Sequence, residues 1–402
     1  MTNASIFALE QYLGFLFCSV LSGFRKMALV LGGGGAENET SKKIVFVKFI
    51  EQGALVLHKN TFGEAARQYG AENVFLCTFL SNAQLVDVLD VFPAENRVFI
   101  NEKSLWQFTK SFAQAIFKIR KRHIDSAIDL EFFSRATAIF CYLTGAAKRA
   151  GYHRYKGLQN YRGDLFTHRL SYSHYVHLSD SSWSLLKSLE LPVESLPALD
   201  ITLNSQLTEV SFNPNPVDLE RLEKLLGYRV TGSDSLIVIN PSLNDVLPLR
   251  RWPEEHYKTF IHQFKDRFPH YRIVFTGRGD EFALTENFIA SLAITGAVNL
   301  CGKTELSDIL TLYTQSKLLL TSDSGPAHFA VLTPVNTIVL FGPETPVLYA
   351  PLSKRTKVLY NPPPCSPCYN VYNNRLSACG NNICMQRISV SEVMKAAEEI
   401  LA

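Results

Sequence analysis

Four apolar runs in the C-terminal half of the chain end in polar residues. Asn240, Pro241 and Ser242 follow "IVI"; Gly277, Arg278, Gly279, Asp280 and Glu281 follow "IVFT". Asp323, Ser324 and Gly325 close "LLLTS", and Gly342 to Thr345 close "IVLF". The third of these, "LLLTSDSGPAHFAVL", is the most pointed. Read locally, Leu318 to Thr321 is a buried strand, Ser324 a helix N-cap, Pro326 an early helical residue and Ala327 to Leu332 the helix. Read chemically, a glycine turn that opens onto free amides at a helix N-terminus is a site for phosphate. Pro326 has no N–H, so phosphate donors there must come from neighbouring amides. His328 suits either reading, as a phosphate-turn residue or as a satisfied core histidine. Gly-Arg-Gly after a strand is, on its own, an ordinary turn.

The elements that must position these groups are legible in the spacing. From Lys42 on, short β-branched or aromatic runs ("KIVFVKF", "NVFLCTF", "NRVFI", "DSAIDLE") alternate with amphipathic stretches such as Ser104 to Arg122. That is the pattern of βαβ units and a parallel sheet covered on both faces. A Pro-punctuated stretch near residues 195–215 breaks the rhythm, which restarts with "SLIVIN", "YRIVFTG", "AVNLCG", "KLLLTSD" and "NTIVLFG". Two doubly wound domains are expected, and ligands in such sheets sit beyond the carboxyl ends of the strands. The expected boundaries are a leader at 1–41, a first domain at 42–205, a second at 206–388 and a C-terminal helix at 389–402.

At 402 residues, 47% hydrophobic and 19% charged, the composition excludes disorder. A net charge of +3 without an arginine-rich run gives no sign of a nucleic-acid partner. The charge is uneven, however. Lys103 to Arg169 holds 13 Lys or Arg against four acids, Asp125, Asp129, Glu131 and Asp164. A solvated helix face accounts for "KIRKRH"; an anionic substrate or an anionic membrane surface is the other reading. The leader "SIFALEQYLGFLFCSVLSGF" is short for a spanning helix and lacks the basic start and cleavage site of a secretory signal. It reads as a membrane-surface anchor, or as a mis-assigned start or disordered leader, joined by a flexible linker that begins at Gly32 to Gly35. Cys18, Cys77, Cys141 and Cys301 lie among apolar residues, whereas Cys365, Cys368, Cys379 and Cys384 cluster within the loop 365–384. Two close pairs make that loop a candidate structural zinc site; a simple clasp before the last helix is the alternative.

The ordered set "NPS", "RRWPEEHY", "VFTGRGDE", "NLCGKTELSDILTL" and "SDSGPAHFAV" with "PVNTIVLFGPETP" resembles the C-terminal domain of glycosyltransferase family 9, the heptosyltransferase-like enzymes of lipopolysaccharide assembly. "IVFVKFIEQGALVL" and "AIDLEFFSRATAIFCYLTGAAKRAGYH" are similar to that family's first domain. The resemblance implies the GT-B fold, with two Rossmann-like domains facing across a cleft and the nucleotide-sugar donor in the second. It places Arg250, with Arg251 beside it, on the donor pyrophosphate, a task that suits a planar guanidinium. It places Asp280 or Glu281 on the ribose, Asp323 near the donor sugar, and Ser324, Gly325 and His328 in the phosphate turn, with Ser242 and Gly277 at neighbouring strand ends. It also implies metal-independent transfer, with no cofactor required, because the helix terminus and cations stabilise developing charge. Arg135, Arg149 (next to Lys148) and Arg162 become candidates for an anionic glycolipid or glycan acceptor. The expected location is cytoplasmic and, where the leader is an anchor, peripheral on the cytoplasmic face of the inner membrane.

One departure matters. The family carries an Asp directly after the glycine of the first turn, and here Gly53 is followed by Ala54. Alanine takes no proton, so Glu51 is the substitute candidate for the base, its plainer reading being a solvated or capping acid. The leading expectation is an inverting glycosyltransferase using ADP-heptose or a similar donor in cell-surface glycan synthesis. The alternative is a degenerate member that binds nucleotide sugar or glycan without transfer. A third is an epimerase or hydrolase of the same fold.

Overall fold

The computed structural model describes residues 3–31, 40–155, 161–203, 206–230, 236–244, 247–371 and 376–402, with side chains of the first helix from Tyr12 onward. The chain divides into two compact units, Met1–Ser205 and Gln206–Ala402.

In the first unit, α1 (Asn3–Val30) precedes β1 (Ile44–Val47), α2 (Gln52–Leu57), α3 (Lys59–Tyr69), β2 (Val74–Phe79), α4 (Ala83–Leu89), β3 (Arg97–Ile100) and α5 (Leu105–Lys121). Then follow β4 (Ser126–Asp129), α6 (Arg135–Leu143), β5 (Lys148–Tyr152), β6 (His168–Leu170) and α7 (Leu178–Ser188). Among the described residues the strands form one parallel sheet of order β3-β2-β1-β4-β5-β6. The order reverses between β1 and β4, so a crevice opens at their carboxyl ends. All four residues of β1 are buried, as expected of a strand covered on both faces. One covering layer is α5, α6 and α1, packed through Phe49, Phe79, Phe108, Phe112 and Phe140, whose rings meet mostly edge-on or tilted at 5.1–6.5 Å.

The leader is no detached segment. A stripe of Gly14, Cys18, Ser22 and Arg25, spaced four, four and three residues apart, docks α1 on α6 and the loop before β6. Cys18 is fully buried, the amide of Asp164 donates to Ser22 Oγ at 2.6 Å, and Arg25 Nη1 donates to the backbone oxygen of Asp164 at 3.3 Å. Gly163, at φ 70°, lies so close that a Cβ there would sit 2.6 Å from the Cys18 carbonyl oxygen. Residues 32–39 of the expected linker lie outside the described residues.

The second unit runs α8 (Pro216–Leu226), β7 (Leu236–Asn240), α9 (Glu254–Arg267), β8 (Arg272–Phe275), α10 (Phe282–Leu292), β9 (Val298–Asn299), α11 (Leu306–Thr314) and β10 (Ser316–Ser322). It continues with α12 (Gly325–Ala330), β11 (Asn336–Phe341), α13 (Pro346–Tyr349), β12 (Thr356–Tyr360), α14 (Ile383–Gln386) and α15 (Val390–Leu401). Its parallel sheet has the order β12-β11-β10-β7-β8-β9 among the described residues, so the reversal falls between β7 and β10. Trp252, Tyr257, Phe260 and Phe264 fill the core beside Ile388, Val393 and Ala397, and Trp252 Nε1 donates to the Ile388 carbonyl at 2.9 Å. The C-terminal helix α15, capped by Ser389 and Glu392, is thereby part of this unit's core.

Three strands, β5, β6 and β12, lie outside the apolar runs that the sequence marks as strands. Strand β5, "KRAGY", is wholly buried despite its two cations.

Candidate functional site

In the second unit the site groups stand at the β7/β10 reversal. Asn240 ends β7, and its Nδ2 donates to the Thr276 carbonyl at 2.9 Å while its Oδ1 accepts from Ser242 Oγ at 2.9 Å. Ser242 sits at φ 52°, a left-handed turn that costs a non-glycine residue about 1 kcal/mol or more and is found where a ligand site fixes the backbone. Opposite, β10 ends in Ser322, and Arg250 Nη1 donates to the Asp323 carbonyl at 2.7 Å. A guanidinium is thus fastened to the start of the turn between β10 and α12. Ser324 occupies the N-cap position but makes no side-chain cap; its hydroxyl turns back to the Ser322 carbonyl at 3.1 Å. That differs from the local reading of Ser324, and it leaves the leading end of α12 uncovered. The Asp323 amide is used by Leu340, the Ala327 amide by Ser324, and Pro326 has none. Among the described residues, the amides left at this turn are those of Ser324 and Gly325. His328 is buried within α12.

The two ribose candidates separate cleanly. Glu281 is buried and accepts from the amides of Asn244 at 3.0 Å and Arg278 at 2.7 Å, so its carboxylate holds the two loops together. Gly277 is tied to this contact, because a Cβ there would lie 2.7 Å from Glu281 Oε2. Asp280 is exposed, beside Arg278 Nη2 at 2.5 Å and Asn244 Nδ2 at 3.1 Å, and is the one of the two carboxylates open to solvent. Arg251 points elsewhere, donating to the Leu243 carbonyl at 2.8 Å.

Glu344, in the polar end of β11, is given no role by the sequence, yet it belongs here. It is buried, its Oε1 accepts from the Thr345 amide at 3.0 Å, and burial, reinforced by the charge of Asp323, pushes its carboxyl up to about 8 against the pull of Arg250. A protonated acid beside Asp323 is a hydrogen-bond donor at neutral pH.

In the first unit the β1/β4 reversal holds a second polar set. Lys48, directly after β1, is buried and bridges Glu131 at 2.9 Å and Glu51 at 3.3 Å. Glu131 also accepts from the amides of Phe49 and Ile50, each at 2.9 Å. Glu51 precedes α2 in a left-handed conformation at φ 67°, and its side chain makes no cap hydrogen bond to the helix. Its carboxylate is partly exposed, so the capping explanation fails and the turn holds it at the strand end. Ala54 is buried inside α2. Lys48 and Glu131 follow the same strand-end logic that marks the second unit, and that logic is the signal that would find them.

Arg135, Arg149 and Arg162 are a different matter. All three are buried. Arg162 Nη1 meets Asp129 Oδ2 at 2.7 Å and its Nη2 donates to the Tyr152 carbonyl at 2.9 Å. Arg149 Nε donates to the Leu165 carbonyl at 2.6 Å, and Arg135 Nε to Tyr161 at 2.8 Å. Their donors serve strand ends and loops inside the unit, which corrects the picture of a basic acceptor surface built from them. Burial pushes Asp129 up to about 6 although Arg162 draws it down.

The cysteine loop packs against the β11 end: Cys368 and Tyr369 amides donate to the Pro343 carbonyl at 3.0 Å. Cys365 and Cys379 are exposed, Cys368 is half-buried beside Ser377 Oγ at 3.3 Å, and Cys384 is buried under Gly342. Among the described residues no three His, Cys, Asp or Glu side chains are gathered as metal ligands, while Cys384 lies within electrostatic reach of Cys368 and Cys379.

Known proteins bear on this arrangement. The family model for glycosyltransferase family 9 (heptosyltransferase) matches residues 113–377. The chain belongs to glycosyltransferase family 9. Over 115 residues it is 30% identical to lipopolysaccharide heptosyltransferase 2 of Escherichia coli K12 and 28% identical to lipooligosaccharide heptosyltransferase 2 of Haemophilus influenzae. Those matches take in 28% of this chain and about a third of each relative, 32% and 33%. Among solved structures, the E. coli ADP-heptose heptosyltransferase II is similar with a TM-score of 0.66 at 17% identity, covering 89% of this chain and 98% of that one. A family 9 glycosyltransferase from Veillonella parvula gives 0.67 at 19%, covering 90% and 97%. The family 9 chain therefore has the two-domain α/β GT-B fold.

Proposed function

We propose that this family 9 protein is an inverting glycosyltransferase that takes a sugar from a nucleotide diphosphate donor, ADP-heptose or a close analogue, and passes it to a glycolipid or glycan of the cell surface. The observation that carries the reading is Arg250, fastened through the Asp323 carbonyl beside the Ser324 and Gly325 amides at the β7/β10 reversal. A fixed guanidinium and two amides meet the two negative charges the diphosphate already carries and the further one that develops on its terminal oxygen as the sugar–oxygen bond breaks, and preorganised donors of this kind stabilise a transition state without reorganising. No metal is needed for that task in this scheme. Asp280 is assigned to the ribose, and Asp323, whose carbonyl orients Arg250, to the region of the donor sugar. Glu51, set in a strained turn at the first unit's own reversal, is assigned as the base that takes the acceptor hydroxyl proton, with Lys48 paired to it at 3.3 Å. The donor chemistry implies a cytoplasmic enzyme.

The test is a thermal-shift series with ADP, UDP, GDP and their sugar conjugates, followed by transfer assays with the donor that stabilises most. A diphosphate that raises the melting temperature of the natural chain but not of Arg250→Ala supports the reading. If no diphosphate shifts either protein, the assignment is wrong. A second reading, binding without transfer, is favoured by Ala54, buried where the family carries its acid. Donor binding with no turnover on any acceptor would select it.

A further inference from the structure

The docked stripe of α1 accounts for a minority of its circumference. Apart from Lys26, the rest that faces solvent is mostly apolar: Tyr12 is 79% exposed, Phe24 56% and Leu31, just past the helix, 80%, with Leu16, Phe17, Val20 and Met27 between them on the open side. The helix has 28 residues, about 42 Å at 1.5 Å per residue, so this is a long uncovered face rather than scattered single side chains. Within the same helical layer, on the far side of α6, lies α5, where Trp106 is 74% exposed and Phe117 60% exposed. Around those rings α5 and its flanks present Lys103, Lys110, Arg120, Lys121 and Arg122 to solvent, and no acid occurs from Lys103 to His123. Lys121 lies over the Phe117 ring at 4.5 Å, a cation carried on an aromatic plane.

We infer that this layer, the outer face of α1 together with α5, is a docking surface for an anionic lipid bilayer, in which α1 lies in the plane of the interface. The charge decides between occupants. A second copy of the chain would bring the same cations against themselves, whereas a negatively charged lipid surface is attracted by about 1 kcal/mol per cation held near it. The docked stripe decides between lying and spanning. The segment Tyr12–Val30 is long and apolar enough to cross a membrane. Crossing would pull Cys18, Ser22 and Arg25 from the first unit's interior, where the Asp164 amide and carboxylate hold them. An in-plane helix keeps those contacts and buries its aromatic side among headgroups and upper acyl chains. This inference does not depend on the proposed transferase activity.

The experiment is flotation of the full chain with vesicles of phosphatidylcholine alone and of an equal mixture with phosphatidylglycerol. The natural chain is expected to float with the mixed vesicles and at least tenfold more weakly with phosphatidylcholine. The variant Phe17→Ser/Phe24→Ser/Met27→Ser should lose at least tenfold in affinity for the mixed vesicles with an unchanged melting temperature, since these side chains are exposed. A second variant, Lys103→Gln/Lys110→Gln/Lys121→Gln, should lose the preference for phosphatidylglycerol. Trp106, native to the surface, should be quenched by lipids brominated close to the headgroup. Three results would overturn the inference. One is failure of the natural chain to float; another is a chain that self-associates through these residues without binding vesicles. The third is a tryptophan placed at Phe17 quenched most strongly by bromines at the bilayer centre, which would mean a spanning helix.

Discussion

Arg250 and Glu51 put the proposed chemistry at opposite risk. Truncating Arg250→Ala removes a charge-assisted donor worth about 1.5–3 kcal/mol, so diphosphate affinity should fall roughly 10-fold to 100-fold, read by titration calorimetry. Glu51→Gln keeps size and polarity but takes no proton, and turnover should fall by about 10²–10⁴ with donor affinity unchanged. Undiminished turnover would remove Glu51 from the mechanism. Glu344 predicts a pH effect. Its carboxyl is held up to about 8 in the fold against an ordinary value of 4.5, so between those values the folded chain binds more protons than the unfolded one. Its stabilising share is complete below pH 4.5 and is lost as pH rises towards 8. Glu344→Gln should therefore be more stable than the natural chain at pH 8.5, by roughly 2 kcal/mol, and the gap should close by pH 5; melting curves across that range check it.

At the scale of elements, what could be read in advance was whatever depends on periodicity. Strands β1 to β4 and β7 to β11 coincide with apolar runs, because a strand buried on both faces must be apolar almost throughout. Strand β5 defeats that rule. Lys148 and Arg149 made "AAKRAGY" look like surface, yet Lys148 Nζ donates to the Leu189 carbonyl and Arg149 to Leu165, so each cation closes a chain end rather than facing water. Pairings across tens of residues leave no local trace. The same holds for Arg162 and Asp129, and for Glu344, whose meaning comes from Asp323 and Arg250 nearby. The strand-end groups of the second unit were visible because the reversal of strand order concentrates them. Arg162→Met tests the structural role: it leaves Asp129 buried without its ion pair and should cost about 3–5 kcal/mol in urea unfolding. Adding Asp129→Asn should restore part of that loss. A variant that changed acceptor binding while leaving stability intact would contradict the burial argument.

At the scale of the whole molecule, α1 is exposed along one face and along the other is part of the first unit's interior. Deleting residues 1–31 would open Cys18's site beside Phe140 and Leu165. The first unit should lose several kcal/mol, by cavity and exposure terms, while the nucleotide-induced thermal shift assigned to the second unit persists. Loss of both together would show that the helix supports more than its own unit. Gly163 offers a finer instrument. Its backbone already stands in a conformation that side chains resist, and the nearest oxygen of α1 leaves no room for one more carbon. A single methyl at that point is a wedge: Gly163→Ala should pry the helix from its seat while leaving every outward-facing ring as it was, turning a fixed keel into a tethered one.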